Sequence, residues 1–194
     1  MSLVVALVGM PGGGKSTVGR HLARRLHFSF VDTDDIICQQ VGCSIARFFE
    51  AEGEERFRDI ESDVLRVLLS QAPDQGRVIA TGGGIVLRED NRRLLSSEAV
   101  PIYLRAGPEE LFRRVRHDRR RPLLQVQDPL AKLRDLFSKR DPLYRATAAF
   151  VIETGKPSVT TLVNLILMQL ELAGVVEAEH VPSSIAGASP QRRA

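Results

Sequence analysis

Residues 9–16, GMPGGGKS, limit the fold of this chain more than any other segment does. They fit the pattern G-x-x-x-x-G-K-[ST]. An apolar run at 3–8 precedes them, and Val18, Leu22 and Leu26 follow with helical spacing. A strand, a glycine-rich loop and a helix in this order surround a phosphate with backbone N–H groups and a positive helix end. A chance glycine-rich turn is the alternative, and the full spacing with both flanking elements argues against it.

The residue types in this loop predict binding of ATP with Mg²⁺. The Lys15 side chain can reach the β- and γ-phosphates, and the Ser16 hydroxyl can bind magnesium. We assign ATP binding to the end of the loop and the start of the helix, at Gly12, Gly13, Gly14, Lys15, Ser16 and Thr17. The motif alone does not identify the group that accepts the phosphate.

Short apolar segments alternate with helical patterns along the rest of the chain. Four further strands are predicted within 28–34, 77–84, 100–104 and 146–154. The predicted helices comprise short pieces broken at Gly42 and Gly53, then 54–71, 90–96, a helix from Pro108 toward Arg116, 128–145 and 158–172. This alternation predicts an α/β fold with three layers, α/β/α, around a five-stranded parallel sheet. Ligands of such sheets bind beyond the carboxyl ends of the strands.

Length and composition suggest one globular domain with a polar extension. The chain has 194 residues, and we predict a domain over 1–174 and a disordered tail over 175–194, which is rich in Ser, Ala, Pro and charge. We see no signal peptide and no apolar run long enough to cross a bilayer, so we expect a cytoplasmic protein without a membrane partner. Cys38 and Cys43 lack zinc-site spacing and are expected to be free thiols.

The charge is balanced, with 27 Lys and Arg against 24 Asp and Glu, a net charge of +3. Arginines cluster between 113 and 121, and such a cluster could be a nucleic-acid patch, a solvated face or an anion clamp. No aromatic residues are interleaved for base stacking, so we expect no nucleic-acid partner.

Two aspartates follow the second predicted strand. If the segment is extended, Asp32 and Asp34 point to the same face. Asp32 could then hold a magnesium-bound water, and Asp34 could orient the acceptor hydroxyl. The alternative is a helix N-cap at Asp34 or Asp35. The neighbouring phosphate loop favours the functional interpretation.

An arginine and a glycine run add to the predicted acceptor site. Arg58 can pair with Glu61 at i,i+3 spacing, which leaves one edge of its guanidinium to grip a carboxylate. A surface salt bridge of little value is the alternative. Three glycines at 82–84 follow the third strand and permit close approach of a ligand to the backbone, or else form a flexible turn.

The segment 117–127 has no periodicity and contains Pro122, so we predict a mobile loop. Arg121 in this loop could arrive on closure and stabilise the charge of a transferring phosphoryl group. Arg140, on the next helix, could return to the acceptor. For either arginine alone a solvated surface role is the alternative.

Taken together, these segments resemble the shikimate kinase family. The matching pieces are GMPGGGKST, DTD at 32–34, SIARFFEAEGEERFRDIE at 44–61, TGGG at 81–84, RRPLL at 120–124 and KRDPLYR at 139–145. They occur in the family's order from residue 3 to about 172. The resemblance implies a P-loop kinase fold with a substrate-binding subdomain at about 33–61 and a lid at about 115–127. It also implies phosphoryl transfer from ATP to the 3-hydroxyl of shikimate, on the route to chorismate and aromatic amino acids.

The resemblance also implies roles for single residues. Lys15, Asp34 and Arg121 would be catalytic, with Lys15 and Arg121 touching the transferring phosphate. Asp34 would bind the shikimate hydroxyls, the glycines at 82–84 would contact shikimate by backbone, and its carboxylate would be held by Arg58 and Arg140. Ser16 would bind Mg²⁺, and Asp32 would support its water shell. Arg114 would approach the nucleotide.

One segment departs from the family pattern. Family members often carry an arginine near adenine after the last strand, and this chain has Thr154-Gly155-Lys156-Pro157 there. Lys156 is the candidate substitute, although it cannot stack as a planar group. We expect a monomer that binds ATP and shikimate. A gluconate-type or nucleotide kinase and a non-catalytic nucleotide-sensing module are the competing hypotheses.

Overall fold

A computed structural model of the chain describes residues 3–71, 73–116 and 128–177. Five strands form one sheet with the spatial order β2-β3-β1-β4-β5, and every neighbouring pair is parallel. The strands are β1 (Val4–Val8), β2 (Ser29–Asp32), β3 (Arg77–Ala80), β4 (Val100–Arg105) and β5 (Phe150–Glu153). The predicted five-stranded parallel sheet is confirmed.

Helices cover both faces of this sheet. Seven α-helices occur in the described residues: α1 (Lys15–Leu26), α2 (Thr33–Val41), α3 (Ile45–Ser70), α4 (Glu89–Glu98), α5 (Pro108–Val115), α6 (Pro129–Thr147) and α7 (Val159–Leu172). A short 3-10 helix, Ile85–Leu87, precedes α4. None of the helices in the described ranges has the length and apolar character needed to cross a bilayer.

The central strand shows why the layers form. All five residues of β1 are buried, and their side chains alternate between the two faces. Val5 and Leu7 pack with residues of α1 and α7 in one apolar cluster. Val4, Ala6 and Val8 pack in the other cluster, which α3 to α6 complete. A strand that is apolar on both faces needs a helical layer on each, as the three-layer prediction requires.

The glycines at 42 and 53 interrupt the helices where the sequence predicts breaks. Gly42 caps α2 in a left-handed conformation with φ of 71°. Gly53 has φ 81° and ψ 167°, so α3 is two helical segments joined at a kink. Only glycine adopts this last conformation at low cost, because a Cβ atom would clash with the backbone.

The end of the second strand differs from the prediction. A strand through residue 34 is wrong: β2 ends at Asp32, and α2 begins at Thr33. Asp32 is the N-cap, and its Oδ1 accepts a hydrogen bond of 3.1 Å from the Asp34 N–H. A capping aspartate satisfies a backbone donor of the first turn, and this local bond ends the strand two residues early.

Candidate active site

The phosphate loop connects β1 to α1 at the carboxyl edge of the sheet. Gly12 and Gly14 have φ of 83° and 88°, in the left-handed region that favours glycine. Gly14 is the N-cap of α1, and no side chain caps the helix there. The first backbone N–H groups of α1 are therefore left for an anion at the positive end of the helix.

The Lys15 side chain is buried over this loop, with 8% of the residue exposed. Its Nζ donates to the carbonyl oxygens of Gly9 at 2.8 Å and of Met10 at 3.0 Å. The ammonium group is thus held at the mouth of the loop, where it can meet phosphate oxygens.

Ser16 and Asp32 join the loop to the end of β2. The Ser16 hydroxyl donates to Asp32 Oδ2 over 2.5 Å, while Asp32 Oδ1 caps α2. Thr17 follows Ser16 in the first turn of α1. One carboxylate therefore fixes the relative positions of the phosphate loop, β2 and the helix that carries Asp34.

Asp34 lies in the first turn of α2, so the argument that Asp32 and Asp34 share the face of an extended segment is wrong. The carboxyl of Asp34 still points into the site, because its Oδ1 lies 2.8 Å from the position of a Cβ atom at Gly82. Burial and then the nearby Asp32 raise the pKa of Asp34, while the charges of Lys15 and Arg58 lower it. Asp34 is thus influenced by the cation of the phosphate loop and by the Arg58 guanidinium.

The predicted pair between Arg58 and Glu61 forms and is buried. Arg58 Nη1 donates to Glu61 Oε2 over 2.8 Å, and the Glu61 side chain is 0% exposed. Burial raises the pKa of Glu61, although Arg58 opposes this rise. Arg58 Nη2 donates to Glu54 Oε1, also over 2.8 Å. The surface-salt-bridge alternative is therefore wrong for Arg58, whose side chain is 10% exposed.

At each glycine of the 82–84 run, another part of the chain lies where a side chain would be. A Cβ atom at Gly82 would lie 2.5 Å from Glu61 Oε1. One at Gly83 would lie 2.7 Å from the Pro11 ring, and one at Gly84 would overlap the Arg58 guanidinium. The sequence predicted close approach of a ligand, and the structure shows close approach of the Glu61 and Arg58 side chains and of the phosphate loop at Pro11.

Arg140 reaches the same glycine run from α6. Its Nη1 donates to the Gly83 carbonyl oxygen over 3.0 Å, and the Tyr144 hydroxyl donates to the same oxygen over 2.5 Å. The rings of Tyr144 and Tyr103 stack with centroids 4.8 Å apart. Tyr103 in turn donates to Asp141 Oδ1 over 2.9 Å. Arg140 thus belongs to a buried cluster of polar side chains at the sheet edge and does not lie on the surface.

Arg114 and Lys156 lie at the other end of this edge, beside β5. Arg114 Nη1 donates to Thr154 Oγ1 over 3.3 Å, and Nη2 contacts the Thr154 carbonyl oxygen and pairs with Glu110 at 2.6 Å. Lys156 is exposed in the loop after β5. Arg121 and the loop 117–127 lie outside the described residues, as does most of the tail predicted at 175–194.

Three side chains at the site escaped the sequence argument, and two of them, Thr33 and Tyr144, have partners that are distant in sequence. Thr33 is buried, and its Oγ1 accepts from the Gly82 N–H over 2.9 Å. Tyr144 binds the Gly83 carbonyl oxygen. Neither has a local signal, because both partners are more than forty residues distant in sequence. Glu54 lies four residues before Arg58, and this helical spacing could have identified it.

The donor set near the loop suits magnesium held mainly by a nucleotide. Ser16 Oγ and Asp32 offer hard oxygen atoms in contact with each other. Within the described ranges, no three His, Cys, Asp or Glu side chains cluster as a metal site. Mg²⁺ keeps several waters and is usually bound by one or two protein groups plus substrate phosphates, which this pair could accommodate.

Comparisons of the sequence and of the structure with known proteins both find shikimate kinases. The family model for shikimate kinase matches residues 11–171. The shikimate kinase of Cupriavidus pinatubonensis is 55% identical over 167 residues, which cover 86% of this chain and 85% of the relative. The solved shikimate kinase from Acinetobacter baumannii in complex with shikimate is 42% identical, with a TM-score of 0.84 over 91% of this chain and 97% of that one.

A more distant likeness extends to another kinase type. A gluconokinase structure from Sinorhizobium meliloti has a TM-score of 0.56 and 15% identity, covering 88% of this chain and 93% of that one. At this identity the likeness concerns the fold alone, since one fold hosts many activities.

Proposed function

The chain belongs to the shikimate kinase family, and we propose that the residues gathered at the carboxyl edge of its sheet transfer the γ-phosphoryl group of ATP to the 3-hydroxyl of shikimate. The observation that carries the assignment of residues is the position of Asp34. Its carboxyl lies beside Gly82, with Oδ1 2.8 Å from the position of a Cβ atom there, and the charges of both Lys15 and Arg58 act on it. A group that orients the acceptor must lie between the donor phosphates and the part that holds the acceptor.

The phosphate loop holds the donor. Backbone N–H groups of the loop and of the first turn of α1, through Thr17, surround the phosphates, and Lys15 binds the β- and γ-phosphates. Ser16 and Asp32 would hold magnesium, Asp32 through water, and the ion would neutralise developing charge. Arg114 lies beside the nucleotide and Lys156 near the adenine. Arg121, which lies outside the described residues, would contact the transferring phosphoryl group.

The acceptor is held by two arginines and a glycine run. Arg58 and Arg140 bind the shikimate carboxylate. Hydrogen bonds to Glu61 and to the Gly83 carbonyl oxygen hold the two guanidinium groups in place for this contact. The backbone at Gly82, Gly83 and Gly84 lies against the hydroxylated ring of shikimate. These contacts position one face of a small anionic, hydroxylated ring toward Asp34.

The chemical step is an in-line displacement. Asp34 accepts a hydrogen bond from the 3-hydroxyl and takes its proton as the oxygen binds the γ-phosphorus. The bond between that phosphorus and the bridging oxygen of ADP breaks, and the electron pair stays on ADP. The raised pKa of Asp34 makes its ionised carboxyl a better proton acceptor than an exposed one. A loose transition state requires little base strength, so the main contribution of Asp34 is orientation.

A coupled assay of ADP release tests this proposal. We expect robust, Mg²⁺-dependent turnover with ATP and shikimate, and formation of shikimate 3-phosphate. Gluconate and nucleoside monophosphates serve as alternative acceptors in the same assay. Turnover with one of them and none with shikimate would overturn the proposal. ATP binding without turnover of any acceptor would favour the nucleotide-sensing module.

The same proposal includes the organisation of the chain. Residues from about 33 to 61 would form the substrate-binding subdomain, residues from about 115 to 127 the lid, and residues 175–194 a tail that activity does not require. The protein acts as a cytoplasmic monomer without nucleic acid or membrane. Sedimentation of the full chain tests the monomer. Truncation after residue 177 tests most of the tail and keeps Val175 and Val176, which pack against the apolar cluster of α1 and α7. Loss of turnover in this variant would contradict this part.

A further inference from the structure

Arg58 is shared between two carboxylates of its own helix, and they differ in exposure. Glu61, which pairs with Nη1, is 0% exposed at its side chain, whereas Glu54, which pairs with Nη2, is 61% exposed. Arg58 Nε is buried and has no hydrogen-bond partner among the described residues. Nε and Nη2 form one edge of the guanidinium, the edge that a planar carboxylate grips with both oxygens. Glu54 therefore binds one of the two nitrogens of that edge.

The backbone at Glu54 separates it from the fixed part of α3. Glu54 directly follows Gly53, whose φ of 81° and ψ of 167° interrupt the helix. Phe57, Arg58 and Glu61 are buried in the second helical segment. Glu54 stands at the start of that segment with its side chain largely in solvent. It can turn away from Arg58 without moving any buried group.

The charges of the site favour such a movement when a further anion enters. Arg58 and Arg140 face three carboxylates, those of Asp34, Glu54 and Glu61. A substrate carboxylate at the Arg58 edge would add a fourth beside Glu54. Two carboxylates that bind the same guanidinium repel each other, and the repulsion is stronger in a partly desolvated site than in water. Glu61 and Asp34 are held in the site, so Glu54 is the carboxylate that can leave.

We propose that Glu54 is a positioning residue that mimics the substrate carboxylate: it binds Arg58 Nη2 until the incoming substrate carboxylate displaces it. This inference rests on the proposed function of Arg58 as a carboxylate clamp. Glu54 keeps the guanidinium aligned and neutralised between turnovers. Shikimate must break the partly exposed ion pair between Glu54 and Arg58, and this cost weakens shikimate binding. Glu54 thus sets the affinity for the substrate without contacting the reacting atoms.

Calorimetric titration of the full chain with shikimate tests this inference through Glu54→Gln and Glu54→Ala. Glu52→Gln is the matched control, because Glu52 is also exposed and lies on the other side of Gly53. We expect both Glu54 variants to bind shikimate about two- to fivefold more tightly than wild type, as loss of a partly exposed competing ion pair predicts. The kcat at saturating ATP and shikimate should stay within about twofold, and Glu52→Gln should match wild type.

Shikimate methyl ester separates displacement from a general change in the site. The neutral ester cannot replace Glu54 at Arg58, so the Glu54 variants should gain no affinity for it. Unchanged or weaker shikimate binding in both variants overturns the inference, as does an equal gain for the ester. Failure of the proposed function looks different, because wild type itself would then show no shikimate heat and no shikimate-dependent ADP release.

Discussion

The Arg58 guanidinium packs against the backbone of Gly84 so closely that a Cβ atom at Gly84 would overlap it. The buried Arg58–Glu61 pair therefore depends on the absence of a side chain at a position that follows the third strand. Close approach of this kind explains the glycine better than flexibility does, since Gly84 has a φ of −102° that any residue adopts.

We predict that Gly84→Ala weakens shikimate binding by about 10-fold or more, because the methyl group must push the guanidinium off Glu61 and disrupt charge-assisted hydrogen bonds. The ATP affinity should change little. Titration calorimetry with each ligand checks both expectations. Gly107→Ala is the control, since a Cβ atom there meets only Glu109 Oε2 at 4.0 Å. Equal shikimate affinity in the two variants would contradict the packing argument.

The Asp34→Asn variant should bind ATP almost normally and lose about 100-fold or more of turnover, because a neutral amide orients the acceptor hydroxyl less strongly than a carboxylate does and cannot take its proton. Steady-state ADP release at saturating shikimate measures the loss, and calorimetry measures ATP binding. Asp35→Asn is the control, since Asp35 is exposed and pairs only loosely with Arg20 at 3.7 Å. Turnover of Asp34→Asn near the wild-type value would remove Asp34 from the chemistry.

The same substitution should change the pH dependence of stability. Burial raises the pKa of Asp34 above its usual 3.8. Below pH 3.8 the carboxyl is protonated in the folded and unfolded states, so its effect on stability is small. As pH rises, the unfolded state ionises first, and the folded state loses stability until pH passes the raised pKa. Asp34→Asn avoids this loss.

The thermal midpoint of Asp34→Asn should therefore exceed that of wild type by a margin that grows from pH 4 to neutral pH. Parallel melts of both proteins across this range give the margin directly. A margin that shrinks as pH rises would mean that the folded state favours the ionised carboxyl. A stability gain with loss of turnover is the usual signature of an active-site charge.

Much of the fold follows from periodicity in the sequence, and the site follows less completely. The apolar strands, the breaks at Gly42 and Gly53 and the Arg58–Glu61 pair depend on neighbours within a few residues, so local spacing predicts them. The start of α2 at Thr33 was missed because an aspartate at a strand end also caps helices. The strand pattern and the capping pattern overlap at residues 32–34.

The remaining misses concern contacts between distant elements. The Tyr144 hydroxyl meets the Gly83 carbonyl oxygen 61 residues away in sequence. A single tyrosine in a helix gives no sign of such a partner. The sequence predicts close approach of a ligand to the glycine run. Only the packing of α3 and of the loop at Pro11 shows that Glu61, Arg58 and Pro11 are the groups that approach it.

The paired tyrosines offer a test of this distant contact. Tyr144→Phe removes the bond to Gly83 O, and Tyr103→Phe removes the bond to Asp141. Each should destabilise the fold by about 1 kcal/mol, the usual net value of a buried hydrogen bond. Only Tyr144→Phe should also weaken shikimate binding, because it frees the carbonyl that positions Arg140. Denaturant unfolding and shikimate titration separate the two effects, and a similar loss of affinity in both variants would contradict this assignment.

The contact between Ser16 and Asp32 predicts a specific defect in magnesium use. Asp32→Asn keeps the size of the side chain and removes the charge that would order the water shell of the ion. We expect the Mg²⁺ concentration for half-maximal turnover to rise by about 10-fold, as for other groups that support a metal indirectly. The KM for shikimate should stay near the wild-type value, because Arg58 and Arg140 lie on other elements. Titration of turnover with Mg²⁺ at fixed ATP gives the first quantity, and Asp35→Asn again serves as the control. A raised KM for shikimate with an unchanged Mg²⁺ requirement would show that Asp32 acts instead through the helix cap that positions Asp34.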